Sequence, residues 1–118
     1  VTSGEFEVGK HKGGGDVILA KFSPIGDQVW LKQLGTASWE SATAIATDSQ
    51  GNVFISGDTF GEFEVGKKKG GGDAFLAKFS PVGEQVWLKQ LGTNSRDSAT
   101  GIATDSQGNV FVLAVIYI

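Results

Sequence analysis

The clearest oxygen donors in this sequence are two acidic turns. Asp48 with Asn52, and Asp105 with Asn109, set a carboxylate and an amide four residues apart. Calcium uses such oxygens, but it takes about six to eight of them. Two per turn fall far short, so these four residues are read as turn formers. The run Gly13-Gly14-Gly15-Asp16 returns as Gly70-Gly71-Gly72-Asp73, close to Lys10, Lys12, Lys67, Lys68 and Lys69. Successive backbone N–H groups beside cations suit a phosphate. A phosphate loop also needs a strand-to-helix junction. None follows, so the run is read as a loop with solvated lysines. A third group is Trp39 and Glu40, matched elsewhere by Arg96 and Asp97. An exposed indole beside a carboxylate suits a sugar or a peptide. These four are the candidate ligand-binding residues, with neutral variation of a loop as the plainer alternative.

Composition narrows the chemistry. There is no cysteine, and His11 is the one histidine. Disulfides, thiolate metal sites and cysteine nucleophiles are excluded together. No catalytic set, metal or cofactor is expected, and the reading is of a protein that is not an enzyme. The net charge of −3 is not that of a nucleic-acid binder. The apolar run from Val110 to Ile118 is too short for a membrane-spanning helix, which takes about 20 residues. The chain opens on Val1, and no signal-peptide pattern is visible in it.

The elements that carry these residues repeat. Residues 4–54 recur at 61–111 with a constant offset of 57, differing at only nine positions: 11, 17, 18, 25, 27, 37, 39, 40 and 44. Surface-type residues such as Lys32, Gln33 and Gln50 match too, although a shared fold leaves surface positions free. The copies therefore read as a recent duplication, with repeat 1 at about 4–60 and repeat 2 at about 61–117. Each repeat offers two hairpins. Strands at 16–22 and 28–34 flank Ser23-Pro24-Ile25-Gly26, where proline presets φ and glycine accepts a positive one. Strands at 43–47 and 53–56 flank Asp48-Ser49-Gln50-Gly51-Asn52. Trp30 and Trp87 fall mid-strand and are read as core. The expectation is an all-β chain. Ile18, Ala20 and Phe22 lie on one side of their strand, with Val17, Leu19 and Lys21 on the other. Sheets that are apolar on both faces must be covered on both, and radial stacking of tandem copies does so.

The run Gly71-Gly72-Asp73-Ala74-Phe75-Leu76-Ala77-Lys78-Phe79-Ser80-Pro81, with Gly83, Trp87, Leu91-Gly92 and Asp105 to Phe111, resembles the bacterial β-propeller repeat family known as SBBP. NHL-type repeats are more distant look-alikes through the Asp-x-x-Gly-Asn turn. The resemblance implies four-stranded antiparallel blades and often a secreted or surface-associated bacterial protein. It supplies no catalytic residues.

Two repeats make about two blades, whereas propellers have about four to eight. The repeats are also circularly offset: one full blade lies between a leading hairpin (16–34) and a trailing one (100–112). Open strand edges and bare apolar faces are unfavourable. The trailing hairpin of one chain is therefore expected to pair with the leading hairpin of the next, as a homo-oligomer. Such contacts close into rings or run on as filaments. Rings of three or four chains give six or eight blades, and odd counts are excluded. The second reading is a lectin-like propeller binding a glycan or a peptide through the connection at Trp39 and Arg96. Repeat symmetry breaks after Val112, where Leu113-Ala114-Val115-Ile116-Tyr117 stands for Ser56-Gly57-Asp58-Thr59-Phe60. Codons for Ser-Gly-Asp read one base later give Ala-Val-Ile or Ala-Val-Met, so the tail is compatible with a frameshift.

Overall fold

The computed structural model describes residues 16–35, 40–61, 72–92 and 96–117. These hold eight strands and no helix: β1 (Val17–Phe22), β2 (Gln28–Leu34), β3 (Glu40–Thr47), β4 (Val53–Thr59), β5 (Asp73–Phe79), β6 (Gln85–Leu91), β7 (Arg96–Thr104) and β8 (Val110–Tyr117). They form three antiparallel sheets, in the orders β1-β2, β3-β4-β5-β6 and β7-β8. The offset arrangement is thus what the structure shows, with one full blade between two half blades.

The turns explain the hairpins. In the β1–β2 turn Gly26 N–H donates to Ser23 O at 2.9 Å, and in the β3–β4 turn Gly51 N–H donates to Asp48 O at 3.2 Å. Gly26 and Gly51 sit at φ of 94° and 86°, the left-handed region that glycine enters without steric cost. Strands β3 and β4 each run three residues beyond the sequence expectation, because pairing continues to Glu40↔Thr59. Gly57 reads as a breaker in sequence but is a packing requirement. A Cβ there would overlap the Ser41 carbonyl oxygen and lie 2.9 Å from the Phe75 ring.

The core forms where the leading half blade meets the full blade. Val17, Leu19 and Leu34 pack with Ile55, Phe75, Ala77 and Phe79, and Trp30, Val53 and Leu88 border them. Trp30 Nε1 donates to Pro81 O at 3.1 Å across this boundary. Both copies also latch a strand start to a strand end. Gln33 Nε2 donates to Asp16 Oδ2 at 2.7 Å, and Gln90 Nε2 donates to Asp73 Oδ2 at 3.0 Å. The aspartates after the triple glycines are therefore structural anchors.

Candidate functional site

The near-identical repeats act as an internal control on burial. Phe79 is 2% exposed in the full blade, while its counterpart Phe22 is 53% exposed. Phe54 is 1% exposed, while its counterpart Phe111 is 58% exposed. The ring and the chain beside it are the same in each pair, 19–24 matching 76–81 and 45–54 matching 102–111. What differs is a neighbouring blade over the face. Two further features accompany these faces. The outer edge of β1, equivalent to β5, and the outer edge of β8, equivalent to β4, have no partner strand among the described residues. In the full blade those two strand types pair with each other from Val53↔Phe79 to Thr59↔Asp73. The candidate site is thus a split sheet, half at each end of the chain.

The carboxylates of the two acidic turns are engaged within the turns themselves. Asp48 Oδ1 accepts from the backbone N–H groups of Gln50 (3.0 Å) and Asn52 (2.9 Å), and Oδ2 accepts from Asn52 Nδ2 at 2.9 Å. Asp105 makes the same three bonds with Gln107 and Asn109. The two turns lie side by side, lining one groove with Ser49, Gln50, Ser106 and Gln107. Among the described residues no three His, Cys, Asp or Glu side chains are grouped to hold a metal. The Asn52 side-chain amide holds the Asp48 carboxyl below its ordinary 3.8, with the backbone bonds adding to it. Asn109 does the same for Asp105. A carboxyl depressed in the folded state stabilises fully above its unfolded value, and this is lost as pH falls through the folded one. Asn52→Ala should therefore raise the Asp48 titration toward 3.8 and leave Asp105 unmoved, as read by carboxyl-carbon NMR.

The four expected ligand-binding residues are placed unequally. Trp39 lies outside the described residues. Arg96 opens β7, its backbone paired with Tyr117. Glu40 and Asp97 are strand residues, and both are buried. The connection is thus shorter than its sequence suggests. Glu40 Oε2 accepts from Thr59 Oγ1 at 3.0 Å, and Asp97 N–H donates to Gly72 O at 2.7 Å. The structure therefore ties both residues into the sheets.

Comparison with known proteins accords with this architecture. Residues 29–64 and 86–115 match the beta-propeller repeat family SBBP, once in each copy. The chain belongs to this beta-propeller repeat family. It is 27% identical over 109 residues to a regulatory protein, FlaEY, of Caulobacter vibrioides, covering 86% of this chain and 11% of that protein. It is 24% identical over 106 residues to a WD repeat-containing protein of Acanthamoeba polyphaga mimivirus, covering 80% of this chain and 8% of that one. The chain therefore spans about a tenth of the length of these curated relatives.

One residue of this propeller-repeat chain escaped the sequence reading. Asp58 joins two blades, its Oδ1 accepting from Ala99 N–H at 2.9 Å and its Oδ2 from Ser98 Oγ at 3.1 Å. Its counterpart in the second copy is Val115, so comparing the copies gives it no support. Its setting beside Gly57 was the only signal, and that pair resembles a turn.

Proposed function

We propose that the chain is a non-enzymatic structural interaction module that assembles with copies of itself by completing split blades. The observation that carries this reading is the β4–β5 ladder, because the same two strand types stand open at β8 and β1. This internal ladder supports the reading by supplying a register for the proposed contact. Adding the offset of 57 to the β4 partners and subtracting it from the β5 partners places Val110 opposite Phe22 of a second copy, Val112 opposite Ala20, and Val115 opposite Val17. Burying one blade face removes several hundred Å2 of surface from water, on the order of 10 kcal/mol before the entropy of association. The contact is head-to-tail, so it propagates until it closes. Three copies close with six blades and four with eight. A non-enzymatic role is supported by the engaged carboxylates: Asp48, Asp73 and Asp105 serve turns and sheet anchors.

Native mass spectrometry of the 118-residue chain should give a discrete multiple of the 12.3 kDa protomer, with three or four copies expected. A well-folded monomer at high micromolar concentration would sink the reading. Register is tested separately, since the chain has no native cysteine. Directly opposed strand residues have Cα atoms about 4.5–5.5 Å apart, within disulfide range. Ala20→Cys with Val112→Cys should therefore cross-link between chains. Lys21→Cys with Val112→Cys, one residue out of register, should not.

A further inference from the structure

We infer that the divergent tail and the divergent positions of the repeats form one matched seam, which marks the junction between chains and distinguishes it from the junction inside a chain. This rests on the split-blade reading above.

Four of the nine differing positions lie on strands in both copies: 17, 18, 40 and 44. Every one of them is in register with the tail. Within the trailing half blade, Asp97 pairs with Ile116 and Gly101 with Leu113. Their first-copy counterparts are Glu40, paired with Thr59, and Ala44, paired with Ser56. The other two meet the tail across the seam between chains. The internal pairs Gly57↔Phe75 and Asp58↔Ala74 become Ala114 opposite Ile18 and Val115 opposite Val17. No strand position outside the reach of the tail has changed between the copies before residue 55.

The exchanges are physically complementary. Inside the chain the Phe75 ring fills the space over Gly57, and a Cβ on Gly57 would lie 2.9 Å from it. At the seam the tail supplies that Cβ as Ala114, and the opposing ring is replaced by the smaller Ile18. Cores respond to changes of even one methylene, so large-over-small and medium-over-medium are separate solutions. On the other sheet face the internal junction uses Asp58 to hold Ser98 and Ala99 of the next blade. The seam places Val115 beside Val17, and Val17 is already buried against the full blade. Leu113 likewise stands opposite Leu19, a member of the same core, where the internal junction has Ser56 opposite Leu76. Ser56 Oγ is buried with no hydrogen-bond partner among the described residues. The seam replaces a polar junction by an apolar one. A chain end that prefers this junction competes poorly for an internal blade, which suppresses misassembly among nearly identical sheets.

The test is a double-mutant cycle on assembly, read by sedimentation equilibrium of the full chain. Ile18→Phe should raise the dissociation concentration about tenfold, by setting a ring against Ala114. Ala114→Gly in that background should restore it to within about threefold, because it recreates the internal pair. Such coupling is what contacting residues show. Ile18 is partly exposed and Ala114 exposed in the single chain, so both variants should fold. If Ile18→Phe does not fold, the cycle of Val17→Ala with Val115→Asp is judged by the same criterion. Wild-type assembly with additive effects of the two substitutions overturns the matched seam and leaves split-blade assembly standing. A wild-type chain that stays monomeric overturns both.

Discussion

Leu113→Asp should abolish assembly and leave the single chain folded. Leu113 is 68% exposed on β8, so a carboxylate there stays hydrated in the free protomer. Between chains the register sets the same residue against Leu19, which is already part of the core. An ionised side chain buried without a partner costs several kcal/mol or drives its own protonation. The dissociation concentration should rise at least about a hundredfold, since each factor of ten is about 1.4 kcal/mol. Ile25→Asp is the control. Ile25 sits on the β1–β2 turn at 84% exposure, and its counterpart Val82 stays 69% exposed even with a half blade packed against its own turn. It adds the same charge and should leave the mass distribution unchanged. Equal loss of assembly in both variants would point to net charge, and no loss in Leu113→Asp would remove β8 from the interface. Acidification gives a further check on the burial argument. A carboxyl at position 113 protonates as pH falls toward and below its ordinary value, so partial recovery of assembly is expected near pH 4.

The fold was legible because it is written in local signals that occur twice. Ser23-Pro24-x-Gly26 and Asp48-x-x-Gly51-Asn52 mark turns by backbone chemistry, and apolar strands flank them. The offset of 57 then reveals the split blades without coordinates. Legibility failed where tertiary contact overrides local preference. Gly57 looks like the end of a strand, but it is continuous ladder because Phe75 and Ser41 crowd that point. Glu40 and Asp97 look like loop carboxylates, yet strand pairing draws them inside. Asp58 has a role only once the next blade is in place. The tail is the sharpest case. By itself Leu113 to Ile118 is an apolar run with no purpose, and its fit with residues 17 and 18 emerges only through the β4–β5 register.

The same substitution at two matched positions of the repeats should give two different costs. Phe79→Ala removes a ring that is 2% exposed and packed with Val17, Leu19 and Phe75. Core Phe→Ala changes cost about 3–5 kcal/mol, from lost transfer energy and the cavity left behind. Phe22→Ala removes the counterpart ring, which is 53% exposed in the single chain, and there the cost should stay below about 1 kcal/mol. The face of β5 that carries Phe79 is covered by the leading half blade. The face of β1 that carries Phe22 is the one that the full blade of a preceding copy would cover. The cost of Phe22→Ala should therefore grow with protein concentration, toward that of Phe79→Ala as chains assemble, because a partner that binds only the folded form adds to its stability. Urea unfolding of both variants at low and high micromolar concentration measures this. A Phe22→Ala cost that stays small at every concentration, in a sample shown to be oligomeric, would mean that the assembly leaves the outer face of β1 bare. Stacked blades would then not be its geometry, because covering both faces of every sheet is what makes radial stacking favourable.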